Sequence, residues 1–344
     1  MIVETATSGA AAGPRDVGLA EPGSSRREHD FALVVGVDDY PRFRSLRGAV
    51  ADATGFYAWV CDAGGGGVDA AHARLIASTA KPATPVKDQV DEQLLELMAA
   101  ADALGGGRRL YFYFSGHGAT SPGESDDDVA LLMATWSKNL ARFALSSREY
   151  ASELGSAGLF QELVIVLDCC RTAAERAVGL PPAITYEMVS ARSSTRTFIA
   201  YATEVRRSAF EDPRGEQWQG IFTRCLLTIL RRSPGGIEAR ALKDQLECAV
   251  GEHLTGQQAQ IVNGLLDGAT FGRRGVLPRL RVMFRSRGER VELFDGNGAL
   301  VAAIIATAEP WVIAMKAGLY KLVGDAAQDV IFDHGRTEVT DVEF

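Results

Sequence analysis

Four continuous apolar runs punctuate the chain: FALVVGV (31–37), LYFYF (110–114), ELVIVLD (162–168) and TFIAYAT (197–203). A strand with one wet face alternates apolar and polar residues, whereas a strand covered on both faces does not. The runs therefore predict buried strands of a mainly parallel sheet. Between them the period changes. Val90, Leu94, Leu97, Met98 and Ala101 fall at helical spacing behind Thr84-Pro85, and Phe222, Leu226, Ile229 and Leu230 repeat that spacing in GIFTRCLLTILRR. Strands alternating with helices predict a layered α/β domain over 30–275. After Pro278 the texture shifts to short strands, RLRVMF, RVELF, WVIAMK and LYKLV, with DGNG (295–298) as a hairpin turn. Residues 276–344 are thus expected to form a small all-β, sandwich-like domain. Residues 1–29 have no apolar period and are rich in Gly, Ala, Ser and Pro, which predicts a flexible leader.

Composition narrows the function. The 344 residues are 47% hydrophobic and 23% charged, enough for one large domain and a smaller one. A net charge of −8 and a pI near 5.3 argue against a general binder of nucleic acid or anionic membrane, because either needs a basic surface. No basic stretch followed by an apolar run opens the chain, and the most apolar later window (299–320) is broken by Glu309, Pro310 and Lys316. Neither a secretory signal nor a membrane span is expected, and the expected compartment is the cytoplasm. Five cysteines without framework or ligand spacing predict reduced thiols, with no structural metal and no cofactor. The acidic run ESDDDV (124–129) reads as a solvated loop, with a calcium site as the alternative.

Two strand ends carry chemistry. YFYFSGHG (111–118) ends an aromatic strand on a histidine between glycines, and VIVLDCCRT (164–172) stops an apolar strand at an aspartate and two thiols. Ligands of open α/β sheets bind at the carboxyl ends of strands, which brings His117 and Cys170 to one edge. Side chains alternate along a strand, so Asp168 and Cys170 share a face while Cys169 points the other way into packing. This parity selects Cys170 as the nucleophile.

His117 and Cys170 lie 53 positions apart (170 minus 117). With LRGAVADA (46–53), SGHG (115–118), DCCR (168–171), the aromatic strand that follows and FTRCLL (222–227), the chain resembles the caspase-like cysteine peptidases over roughly 30–275, specifically their bacterial, metacaspase-like branch. The resemblance implies a caspase-like layered fold and a Cys/His endopeptidase that works through an acyl-enzyme in signalling, defence or cell death. Cys170 would attack and His117 would manage the protons, with the backbone amides of Gly118 and Cys170 as the oxyanion hole. Relatives that cut after aspartate carry Ser-Trp-Arg where Ala209, Phe210 and Glu211 stand here. Relatives that cut after Arg or Lys line the pocket with the acids matching Asp52 and Asp168. The expected substrates are therefore proteins or peptides with Arg or Lys before the cut bond, contacted by Asp52, Asp168, Phe210 and Glu211. One departure stands out: Arg171-Thr172-Ala173 replaces the family's usual glycine-containing turn.

The stretch 171–196 holds Pro181-Pro182 and four arginines and reads as an exposed loop, with Arg176, Arg192 and Arg196 as candidates for self-processing. Two other classes compete. A catalytically silent scaffold would act through the C-terminal β domain, which could equally take a regulatory protein partner of an active enzyme. A nucleotide-binding sheet would need a Gly-rich strand-to-helix turn, which GGGG (64–67) does not supply.

Overall fold

The computed structural model of the chain describes residues 29–120, 127–174, 177–184, 195–214, 217–233, 235–253, 256–272, 279–314, 318–324, 329–334 and 339–344. Residues 1–28 of the expected leader therefore lie outside the described residues.

Six strands form the central sheet: β1 (Asp30–Gly36), β2 (Ala73–Ala77), β3 (Gly107–Ser115), β4 (Phe160–Asp168), β5 (Arg196–Tyr201) and β6 (Gln260–Asn263). Their spatial order is β6-β5-β4-β3-β1-β2, all parallel except β6, which runs antiparallel to β5. Alternation splits each strand between two cores. Leu33 and Val35, Phe112 and Phe114, and Leu163, Ile165 and Leu167 pack with α2 (Lys87–Ala103) and α3 (Ser147–Ser156). Ala32 and Val34, Tyr111 and Tyr113, and Val164 and Val166 face α1 (Ala49–Cys61), α4 (Ile221–Arg231) and α5 (Ala239–Gly251). A sheet buried on both faces has no polar alternation to show, which is why the runs read as unbroken.

β3 and β4 start earlier than their apolar runs because their first turns of chain are charged yet paired. Arg109 is 1% exposed and its Nε donates to Glu162 at 2.7 Å, while the neighbouring Arg108 donates through Nε to Asp30 at 2.7 Å. Charge hides a strand from a hydrophobic reading unless the partners on adjacent strands are known.

A second small sheet (118–120, 130–132, 144–146 and 172–173) sits beyond β3. Its first strand continues directly from His117. The expectation for ESDDDV is corrected at its end: Asp128 is buried, and it accepts hydrogen bonds from the Ser146 hydroxyl at 2.9 Å and the Arg148 amide at 3.1 Å. Ser146 is in turn the N-cap of α3, accepting from the Glu149 amide at 3.1 Å. This carboxylate anchors a helix start and is not a solvated loop acid. Residues 124–126 lie outside the described residues.

The C-terminal residues form two facing sheets. One contains β7 (Arg279–Met283), β10 (Trp311–Ala314) and β13 (Val339–Glu343); the other contains β8 (Arg290–Asp295), β9 (Leu300–Ile305), β11 (Gly318–Gly324) and β12 (Val330–His334). Leu280, Val282, Val291, Leu293, Leu322 and Phe344 fill the space between them. β9, β12 and β13 are additions to the strands read from sequence.

The Asp128 anchor carries a stability prediction. Asp128→Ala leaves the Ser146 and Ser147 hydroxyls and the Arg148 amide without their acceptor, a cost of about 1–3 kcal/mol. Urea unfolding should show a lower midpoint at an unchanged slope. A midpoint equal to wild type would remove Asp128 from the account of α3.

Candidate active site

The site is built where β3 and β4 end side by side. Ser115 pairs in register with Asp168, and the Gly116 amide donates to the Asp168 carbonyl at 3.2 Å. His117 and Cys170 each lie two residues past that pair, so the parallel register alone delivers both to one rim. Parity holds as expected: Cys169 is 3% exposed within the α2/α3 core, while Cys170 is half-buried and lines a pocket with His117.

Every hydrogen-bonding atom of His117 other than Nδ1 is occupied. Its amide donates to the Tyr40 hydroxyl oxygen at 2.9 Å, its carbonyl accepts the Leu132 amide at 2.9 Å, and Nε2 meets the Arg44 carbonyl at 2.6 Å. A carbonyl can only accept, so Nε2 carries the proton and Nδ1 is the free base. Tyr40 and Phe43 pack on the imidazole with ring centroids 4.8 and 5.1 Å away, and Trp136 backs Phe43 at 4.9 Å. Burial and the nearby Arg44 guanidinium lower the imidazole pKa, which favours the neutral ring.

The Cys170 thiol accepts the Ala209 amide at 3.3 Å and donates to the Ala209 carbonyl at 3.5 Å. Burial, with Asp168 and Glu211 nearby, raises its pKa. No hydrogen bond joins it directly to His117, and the two shifts favour a neutral thiol and a neutral imidazole in the free protein. Gly118 is where a glycine is required: a Cβ there would stand 2.5 Å from both Cys169 Sγ and the Cys170 carbonyl oxygen. Gly118 also opposes Leu131 in the pair that exchanges no hydrogen bonds, since His117 takes the Leu132 amide next to it. Its amide is therefore turned away from that strand.

The acids come together under α1 and α4. Asp52 projects from α1 and Asp168 from the end of β4, 1% and 6% exposed, and both reach Gly220. The Gly220 amide donates to Asp52 Oδ2 at 2.8 Å, and the Thr223 amide donates to Asp168 Oδ2 at 3.1 Å. A methyl on Gly220 would overlap Asp168 Oδ2 and lie 2.8 Å from Asp52 Oδ2. Asp52 Oδ1 is buried without a hydrogen-bond partner. Glu211 stands at the pocket wall, with Oε1 accepting the Gly48 amide at 2.8 Å at the start of α1. Phe210 is 41% exposed and lines the pocket, held by its amide on the buried Gln257 at 3.0 Å. Among the described residues, no group of three or more His, Cys, Asp or Glu side chains is placed to hold a metal ion, and no helix is long and apolar enough to cross a membrane.

The linker needs correction at both ends. Arg171 is 1% exposed, with its guanidinium 4.1 Å from the Tyr201 ring centroid and 2.5 Å from Gln260 Oε1; Thr172 and Ala173 pair with the strand after His117. Leu180 bonds to Ala144 and Ser146, and Ala183 to Asp91. Arg196 is no loop residue: it is the first residue of β5, in register with Glu162, so its backbone belongs to the central sheet. Arg176 and Arg192 lie outside the described residues. Sequence reasoning did not find Arg44, Tyr40, Gly220, Thr223 or Trp218, which also lines the pocket. Arg44 and Gly220 act through backbone atoms, which leave no side-chain signature.

The family model for the caspase domain matches residues 29–262. A probable protease from a Desulfuromonadales bacterium is 28% identical over 219 residues, which is 59% of this chain and 26% of that protein. The chain thus spans about a quarter of the length of that curated relative. Caspase-1 from Spodoptera frugiperda, as a crystal structure, superposes with a TM-score of 0.48 at 11% identity, over 77% of this chain and 98% of that one. With a caspase domain matched across 29–262, a mainly parallel sheet and a Cys/His pocket at its strand ends, the chain belongs to the caspase family of cysteine peptidases.

Proposed function

We propose that the chain is an endopeptidase that cleaves after Arg or Lys through Cys170 and His117. The observation that carries this reading is the pair of buried carboxylates, Asp52 and Asp168, converging beside the thiol with Asp52 Oδ1 unpartnered. Two acids in one dry pocket repel each other, and a guanidinium or ammonium is the ligand that relieves both the repulsion and the lost hydration. An aspartate side chain would meet like charge there, with Glu211 adding to it.

In this reading Cys170 Sγ bonds to the carbonyl carbon of the basic residue as its proton passes to His117 Nδ1. The carbonyl oxygen becomes an oxyanion facing the Gly118 and Cys170 amides. Collapse breaks the C–N bond, and the imidazolium gives its proton to the departing amine. Water then adds to the thioester with His117 taking its proton; collapse breaks the C–S bond, the carboxylic acid product leaves, and the imidazolium returns its proton to Sγ to restore the thiol. The Nε2–H bond to Arg44 fixes the tautomer that puts the base on Nδ1, and Gly118 leaves room for the backbone of the nucleophile turn.

Loss-of-function variants test the dyad. Cys170→Ala and His117→Ala should each abolish turnover of an arginyl peptide by at least about 10³-fold while retaining the wild-type fold by circular dichroism, and Cys169→Ala should stay active. An inactive Cys169→Ala beside an active Cys170→Ala would reverse the assignment. On a peptide panel differing only before the cut bond, Arg and Lys should be turned over and Asp should not; robust turnover of the Asp peptide would remove the carboxylate pocket from specificity.

A pH prediction follows from the same pair. Burial raises Asp52 from the ordinary 3.8 to about 9, helped by the neighbouring Asp168, and burial raises Asp168 to about 6. A carboxyl whose folded pKa is raised stabilises fully below its unfolded pKa near 4, and that stability is lost progressively as pH rises to the folded value, so the loss from Asp168 is complete at about 6 while that from Asp52 continues to about 9. Asp52→Asn should therefore flatten the fall in melting temperature between pH 6 and pH 9, assay conditions of about that span, while lowering kcat/KM for arginyl peptides. A variant with an unchanged melting profile would show that the pair does not share its protons as argued.

A further inference from the structure

Resting on the Arg/Lys reading, we infer that the preferred substrate carries its basic residue within an acidic stretch, because the acidic pocket opens through a rim of arginines. Two loops make the rim. Loop 41–47 (PRFRSLR) carries Arg42, Arg44 and Arg47, and loop 204–208 (EVRRS) carries Arg206 and Arg207; all five are exposed. Both loops are tied to the catalytic groups. Arg44 lines the pocket and its carbonyl holds His117, while the Arg207 carbonyl accepts the amide of Arg171 at 2.9 Å, one residue past Cys170. Arg47 lies over the ring of Trp218, 5.1 Å from its centroid, and Trp218 lines the pocket.

The charge distribution is the reverse of what the composition offers. The chain has 44 acidic and 36 basic residues, yet Glu204 is the only acid on these two loops, with Asp39 two residues before the first, against five arginines. Among the described residues, Arg42, Arg44, Arg47 and Arg207 make no ion pair. Two acids beside the rim hold backbone amides: Asp38 accepts those of Ala49 and Val50, and Glu211 accepts those of Arg47 and Gly48. Clustered, unpaired like charges repel one another and attract an anion that reaches several at once.

The two layers of charge sort substrates in sequence. An extended segment rises about 3.3 Å per residue, so carboxylates a few positions from the cut bond reach the rim when the basic side chain is in the floor. A segment with basic flanks meets repulsion at the rim before its own pocket residue can bind. The acidic floor then selects one cation, and the basic rim rejects polybasic tracts that the floor alone would accept.

Three peptides with one arginine and flanks of Asp/Glu, Gln/Ser or Lys test this, beside a blocked arginine amide that has no flanks. At about 50 mM salt, kcat/KM should favour the acidic flanks over the neutral ones by about tenfold and disfavour the lysine flanks, with the spread shrinking to about twofold near 0.5 M salt. Arg47→Glu with Arg207→Glu should erase or invert the order. Equal rates on all three peptides, or a salt-independent ratio, would overturn the rim while turnover of the amide keeps the arginine pocket. An amide that is not turned over would instead sink the pocket reading itself. The wild-type ratio and its salt dependence decide the matter even if the double variant does not fold; a folded variant that keeps the wild-type ratio overturns it.

Discussion

The parallel register between β3 and β4 is the constraint on which the site depends. Ser115 opposite Asp168 fixes which residues leave the sheet together, and His117 and Cys170 follow two positions later on adjacent strands. A slip of one residue in either strand would send its side chains to the other face. Cys169 would then stand toward the pocket and Cys170 in the α2/α3 core. The register is enforced from both sides, because Phe112 and Phe114 fill one core and Tyr111 and Tyr113 the other. At the opposite end of the same strands, Arg109 and Glu162 pair between buried groups, which adds a polar constraint to the apolar one. Mispairing would strand a buried guanidinium, a larger penalty than any single lost apolar contact.

The same alternation explains the acids. Asp168 occupies the parity of Val164 and Val166, so it emerges on the α1/α4 side of the sheet, where Asp52 and the start of α4 also lie. Buried carboxylates require donors, and the donors here are backbone amides of Gly220 and Thr223 at the α4 N-terminus, where helix amides are otherwise unpaired. Only a glycine at 220 lets the chain pass close enough to serve both. One amide donates to each carboxylate and the Thr223 side chain adds a hydrogen bond to Asp168, while Asp52 Oδ1 stays bare. The pocket is thus held in a state that its own protein atoms do not satisfy.

The sequence was most informative where a strand stops. Unbroken apolar runs ending in Gly-His-Gly and Asp-Cys-Cys marked the rim, and parity alone separated Cys170 from Cys169. Their meeting with Asp52 was less legible: nothing in the spacing between positions 52 and 168 places α1 against the end of β4, and only the family likeness suggested it. Backbone functions were invisible. The Arg44 carbonyl that sets the His117 tautomer is an atom every residue type supplies, and the Gly220 amide one that every type but proline supplies. The linker misled in the opposite way. Its prolines and arginines read as loop, but Arg171 is buried against Tyr201 and Arg196 enters β5, because local polarity was outweighed by a cation–π contact and a sheet partner on distant segments.

The resting state of the dyad follows from these neighbours. A thiolate beside Asp168 and Glu211 would add negative charge to a pocket where burial already raises the pKa of both Asp52 and Asp168, and an imidazolium beside Arg44 would add a positive charge to a basic loop. Both groups therefore stay neutral until a ligand changes the local balance. On the proposed reading, a bound cation would do so on the acidic side, drawing both carboxylates into their charged form and leaving the field at Cys170 more favourable to negative charge than in the empty pocket. Filling the specificity pocket and easing the thiol-to-imidazole proton transfer are then coupled through one cluster of charges. Interactions that grow on the way to the transition state raise the rate of the chemical step as well as affinity. If the pocket takes Arg or Lys as proposed, selectivity would be carried by the same electrostatic interaction that activates the nucleophile, and a neutral side chain of equal size would fill the space without supplying the charge.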